Sequence, residues 1–236
     1  MASALVALGG EGGAVPVNPA AISSVDSEGG TDVMGGGGQD GSTFFAIHTW
    51  GQSVDKVPGA LWAANLNGPG ASEQLVAYSV ASSTVTNLDV GATIRYERWG
   101  QNGDVEYVPN ADIGLRYASP SHYSLGLSGV NLLHPDLFTS GTNPVLTETQ
   151  VIAAVGTDLI PRVKAEAELV YTKSSTYGRF GGELRIAPGT WVRAGLSDKD
   201  VSAGATLTIL GNEMSVAVVI PDSQQALYAL GFSSHF

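Results

Sequence analysis

The chain has 236 residues, with 22 acidic and 11 basic side chains, a formal net charge of −11 and no cysteine. That charge disfavours nucleic acid, whose phosphates need a basic surface, and disfavours peripheral docking on anionic lipid. The lack of cysteine removes disulfide scaffolds, thiol nucleophiles and cysteine-bearing zinc sites, while the longest apolar runs, such as Val151–Val155 and Val216–Ile220, fall far short of the roughly 18 residues a membrane-crossing helix needs.

Residues 1–30 are rich in Gly, Ala, Ser and Pro and keep no period of two, so they read as an irregular or partly helical lead segment. Met1-Ala-Ser-Ala4 has neither the basic start nor the apolar core of a secretory signal. From residue 31 to 236, short alternating runs are separated by turn clusters too closely spaced for βαβ crossovers. Strands are expected near 31–37, 42–51, 59–65, 73–80, 87–98, 110–118, 121–131, 147–156, 162–173, 176–187, 190–197, 200–209, 212–221 and 225–236, about fourteen in all.

The later strands alternate most cleanly. In 162–173, Val163, Ala165, Ala167, Leu169 and Tyr171 oppose Lys164, Glu166, Glu168 and Thr172, with Val170 the one apolar intruder. Val192, Ala194 and Leu196 oppose Arg193, and Met214, Val216, Val218 and Ile220 oppose Glu213 and Ser215. In the final strand Tyr228, Leu230, Phe232 and the C-terminal Phe236 share a face opposite Gln225, Ala229, Gly231, Ser233 and His235. One face suits an apolar medium and the other a polar interior, as in the closing strand of a membrane β-barrel. A soluble β-sandwich would alternate in the same way.

Loop lengths separate these two architectures. The connections at 118–121, 156–161, 187–190 and 209–212 are short, and the two longest, 99–109 and 132–146, fall on the opposite side. Sorting of loops by side is expected of a membrane barrel and not of a sandwich. The expected fold is therefore all-β: one antiparallel transmembrane barrel of about fourteen strands over residues 31–236, preceded by a plug or lead segment over residues 1–30. Closure requires residues 226–234 to pair with residues 31–40, and Leu169, Leu184, Val218 and Leu230 belong on the outer wall.

Charges cannot face hydrocarbon cheaply, so Asp89, Arg95, Glu97, Asp112, Arg116, Lys164, Glu166, Glu168, Arg179, Glu183, Arg185 and Arg193 are expected inside. Two uses are open to them: a salt-bridge lattice filling a narrow lumen, or the lining of a water-filled path. Aromatic residues near strand ends, namely Tyr96, Trp99, Tyr107, Tyr117, Tyr123, Tyr171, Trp191, Tyr228 and Phe236, are expected outside as interfacial girdles. Catalysis finds no support: His48, His122, His134 and His235 are scattered, and no nucleophile elbow or paired-histidine zinc motif occurs. The glycine runs lack the lysine of a phosphate loop, and His134 with Asp136 makes only two ligands, so neither a cofactor nor a metal is expected.

The segment preceding the first strand carries a family resemblance. Ala4–Leu8, the acidic Glu11, Ala14-Val15 and the triplet Asn18-Pro19-Ala20 resemble the start of mature proteins in the FadL-like outer-membrane superfamily, which includes fatty-acid and hydrocarbon channels and PorV-like proteins. Ala21 stands where glycine is usual, Ile22 where leucine is, and Pro16-Val17 where aromatics are common. Met1–Ala4 looks like the interior of that family's opening stretch, so the sequence is expected to begin partway into the mature protein. The resemblance implies a bacterial outer-membrane barrel whose lead segment enters the lumen and occludes it at rest. Its ancestry would be that of a transporter of small hydrophobic molecules, admitted through the plug or a gap in the wall. The alternative is a PorV-like scaffold that anchors or hands over envelope or surface proteins. Expected partners are outer-membrane lipid and either a small hydrophobic ligand or other envelope proteins.

Overall fold

A computed structural model describes residues 16–24, 29–52, 57–101, 104–133, 148–222 and 226–235. After a 3-10 turn at Pro19–Ser24, the strands are β1 (Gly29–Gly38), β2 (Thr43–Gln52), β3 (Pro58–Gly68), β4 (Ala71–Val85), β5 (Leu88–Gln101), β6 (Asp104–Ala118), β7 (Tyr123–Val130), β8 (Gln150–Ile160), β9 (Val163–Thr172), β10 (Thr176–Ala187), β11 (Thr190–Ser197), β12 (Asp200–Ile209), β13 (Asn212–Pro221) and β14 (Leu227–His235). Each strand pairs antiparallel with its chain neighbours, and β14 closes on β1 with Gly30 opposite His235 and Gly38 opposite Leu227. The result is a closed barrel with no free edge around its circumference, a solution that satisfies the strand backbone internally.

Period-two side-chain direction separates the two walls. Leu230 is 68% exposed, Leu169 55% and Leu184 44%, and Val218 shares that outer face in a half-buried position. Their neighbours in sequence turn inward, where Glu166, Glu168 and Thr172 are buried. One end of the barrel carries the start of β1 and the finish of β14, and the turns described there in full, after β4, β6, β8, β10 and β12, are tight. At Leu210-Gly211 both residues have positive φ (52° and 82°), the type I′ geometry whose twist matches paired strands. At the opposite end the carboxylate of Asp40 accepts the amide (2.9 Å) and hydroxyl (2.6 Å) of Ser42, which holds it below its ordinary pKa.

Three boundaries depart from expectation. Residues 99–109 are not a long loop: β5 runs to Gln101 and β6 begins at Asp104. The segment alternates, with Val105 and Tyr107 exposed and Val108 buried, although a proline within a run counts against a strand. Its position resolves the conflict. Ala111 directs its carbonyl toward the β7 side, accepting Leu132 N at 2.9 Å, so Pro109, two residues earlier, turns its missing N–H to that same side. There β7 pairs with β6 only over Ile113–Ala118, and an absent donor leaves no ladder bond unmade. β8 likewise continues to Ile160, and β4 spans Ala71–Val85. With 99–109 folded into a hairpin, one of the two long connections behind the loop asymmetry is gone, and most of the other lies outside the described residues, as do His134 and Asp136.

Candidate functional site

The strands enclose a concave interior, and part of it is occupied by the chain itself. Residues 17–22 lie against the inner wall, with Asn18, Pro19, Ala20, Ala21 and Ile22 all buried. The wall is shaped to receive them. Gly91 and Gly114 face each other across β5 and β6; a Cβ on Gly91 would come within 2.4 Å of the Ala20 nitrogen, and one on Gly114 within 1.9 Å of Asn18 Oδ1. Glycine is required here for close backbone approach rather than for an unusual dihedral.

Asn18 works in both directions. Its Oδ1 accepts Ala20 N at 3.1 Å, setting the turn, while its Nδ2 donates to Leu115 O at 3.2 Å. Ser128 Oγ, on the row of inner-wall residues that continues from Gly114, donates to Val17 O at 2.6 Å. Further along, Val17 packs on Val130, Ile152, Ala154, Val170 and Tyr177. Val170, the apolar intruder among the charges of β9, belongs to the cluster on which the lead segment packs. On the other side Ile22 packs on Trp50, Ala60 and Ala81. The segment therefore crosses the inner wall roughly at right angles to the strands. Residues 1–15 lie outside the described residues.

The twelve charges expected inside all sit at inward positions, and most are paired. Arg95 reaches Asp112 at 2.8 Å and Glu97 at 3.4 Å, and it also donates to Asn131 Oδ1. Asn131 N returns a bond to Asp112 at 2.8 Å, and Trp99 Nε1 donates to Glu97 at 3.3 Å. Asp89 meets Arg116 at 3.1 Å. Glu183 bridges Arg193 at 2.5 Å and Lys164 at 3.5 Å, and Arg179 meets Glu168 at 3.5 Å. Outside the Arg95 group the pairs are direct cross-strand neighbours by register, with Asp89 opposite Arg116, Lys164 and Arg193 both opposite Glu183, and Arg179 opposite Glu168. Glu166 is buried on the same face. Arg185 is exposed and lies over the Trp191 ring at 5.4 Å, and it joins no carboxylate among the described residues. Buried Glu73, beside this network on β4, was missed because the expected strand began there; the run Glu73, Leu75, Ala77, Ser79 and Ala81 marks its inward face.

The aromatic girdle needs correction at two positions. Tyr96, Tyr107, Tyr117, Tyr123, Tyr171, Tyr228 and Phe232 are exposed on the outer wall, but Trp99 is buried inside and Trp191 lines an interior cavity. Both share the parity of charged neighbours, Glu97 and Arg193, and parity outweighs the preference of tryptophan for strand ends. Phe236 lies outside the described residues.

The cavity measures about 360 Å³ and occupies the part of the lumen beside the lead segment, with Pro16 on its lining. Trp50, Trp62 and Trp191 give it an aromatic lining, and its polar lining includes His48, Asp32, Glu213, His235 and the Lys164–Glu183–Arg193 group. His48 was set aside in the sequence as one of four scattered histidines. Its inward parity with Trp50 was the available signal, and the two rings stack with centroids 5.2 Å apart.

Among solved structures, a Pseudomonas aeruginosa FadL homologue superimposes with a TM-score of 0.72 at 10% identity, covering 99% of this chain and 96% of that one. The chain shares the fold of FadL-like outer-membrane barrels. The CymD monoaromatic hydrocarbon channel gives a TM-score of 0.69 at 10% identity over 98% of this chain and 94% of that one. The Ralstonia pickettii toluene transporter TbuX gives 0.66 at 10% identity over 98% and 99%. No protein-family model and no curated protein matches the sequence. The likeness lies in the FadL-like architecture, at full length on both sides.

Proposed function

We propose that this protein is a FadL-type channel of the bacterial outer membrane, closed at rest by residues up to about 24, that passes small, largely apolar molecules. The observation that carries this reading is the tryptophan-lined cavity set against the lead segment inside a barrel of that fold. The exposed outer band of Leu, Val, Ile, Phe and Tyr supports placement in a bilayer, since a patch of that extent in water would drive aggregation. Buried ion pairs and the lead segment support a lumen filled at rest, so that passage requires the segment to shift. The two side-chain tethers at Val17 and Asn18 hold that segment, and each net hydrogen bond of this kind contributes about 0.5–1.5 kcal/mol. No observation on the described residues favours the scaffold alternative over a channel.

The test is uptake of labelled toluene by cells with an intact lipopolysaccharide surface, which slows apolar solutes. Cells carrying the protein should take up toluene severalfold faster than cells without it. Equal rates would remove the channel reading.

A further inference from the structure

The outer wall of β3–β6 carries a single charged side chain, Arg98. By register, Ala63, Val76, Tyr96 and Pro109 form one outward row across these strands, and the next row toward the finish of β5 is Asn65, Gln74, Arg98 and Tyr107. The first row is apolar but for the Tyr96 hydroxyl, and the second turns polar over three consecutive strands. The apolar band therefore ends between the two rows, which puts Arg98 at headgroup level. The nearest carboxylates by register, Glu73, Glu97 and Glu106, have the opposite parity, and Glu73 and Glu97 are buried inside. Arg98 makes no hydrogen bond, ion pair or ring contact with the described residues. A lone cation on a bilayer-facing wall calls for a partner outside the chain.

The two ends of the barrel say which leaflet Arg98 meets. Tight turns lie at the end where β1 starts, and the long β7–β8 connection lies at the other, where β4 starts and β5 finishes. Membrane barrels keep short turns on the periplasmic side and longer loops outside, so the Arg98 row borders the outer leaflet. Resting on the outer-membrane placement above, we propose that Arg98 seats a phosphate of an outer-leaflet glycolipid of the lipid A class. A guanidinium presents paired N–H donors that match two phosphate oxygens. Gln74, directly opposite on β4, adds an amide donor beside it. On β6, Tyr107 stands opposite Arg98 and stacks with Tyr96, ring centroids 5.9 Å apart, a flat apolar face at the depth where the lipid's sugars meet its acyl chains. The net charge of −11 opposes general attraction to anionic lipid, so a phosphate preference has to come from a local seat such as this one.

Native mass spectrometry of the purified full chain from detergent micelles, titrated with diphosphoryl lipid A or with the same glycolipid stripped of its phosphates, tests the assignment. The diphosphoryl form should bind about fivefold more tightly, the ratio that one basic residue near an anionic lipid surface supplies. Arg98→Gln should bring that ratio below about twofold, and Arg98→Lys, which keeps the charge, should retain most of it. Arg185→Gln, at an exposed arginine of the inner wall, should leave the ratio as it is. A wild-type ratio near one, a ratio unchanged in Arg98→Gln, or an equal drop in Arg185→Gln would overturn the proposal. Displacement of the lipid by excess inorganic phosphate would show a site for free phosphate instead, and would overturn it too. Toluene uptake by cells reads the channel separately: uptake without a lipid phosphate preference defeats this inference alone, and the preference without uptake defeats the channel reading alone.

Discussion

Arg95 is the side chain on which the lumen network depends most. It contacts Glu97, Asp112 and Asn131 from a nearly fully buried position, and Glu73 is buried on the neighbouring strand. Its removal leaves buried carboxylates without a counter-charge, which in comparable sites costs about 3–5 kcal/mol. Arg95→Ala should therefore lower the stability of the refolded protein by that order in a urea titration. Arg185→Ala, at an exposed site whose contact is the face of Trp191, should cost under about 1 kcal/mol. Equal losses would show that burial and pairing do not set the worth of these charges. At this scale the sequence was legible for charges and less so for tryptophan. Charges face one way only in a barrel wall, whereas Trp99 and Trp191 are chemically at home on either wall, and only their parity with Glu97 and Arg193 placed them.

Between the single residue and the barrel stands the fit of the lead segment to β5 and β6. Gly91 and Gly114 leave a groove that Asn18-Pro19-Ala20 fills, so a side chain there competes directly with the segment. Gly114→Val keeps strand propensity, yet its Cβ falls on Asn18 Oδ1. The segment must move or the wall must, and the segment is held by fewer bonds. Hydrogen exchange at residues 18–22 should accelerate by an order of magnitude or more in this variant while exchange in β5 and β6 stays slow. Unchanged protection over 18–22 would refute the groove. The triplet was recognisable in the sequence by resemblance, but its receptor was not: two glycines far apart in sequence become a groove only once the register sets Gly91 opposite Gly114. Val170 was visible as a break in the charge pattern, and its reason appears only with the buried cluster it joins, on which Val17 packs.

For the molecule as a whole, alternation in β9–β14 was sufficient for strands with one polar and one apolar face, because a slip of one residue would reverse every side chain between those surroundings, but alternation alone did not separate a closed barrel from a sandwich. The β5–β6 hairpin was not legible for a specific reason. Pro109 counts against a strand until one knows that it borders a stretch of β6 that β7 does not reach. The cavity was the least legible feature, since it draws on side chains from both ends of the chain, Trp50 and His48 on β2 with Trp191 and Arg193 on β11. Nothing local in the sequence announces that closure brings them into one space. The proposed function requires that the lead segment across the inner wall, with ion pairs beside it, leave no continuous water path at rest. Single-channel recording of the full chain in planar bilayers tests this most directly. The account predicts negligible conductance for small ions from the intact protein, and large, stable, open conductance would contradict it.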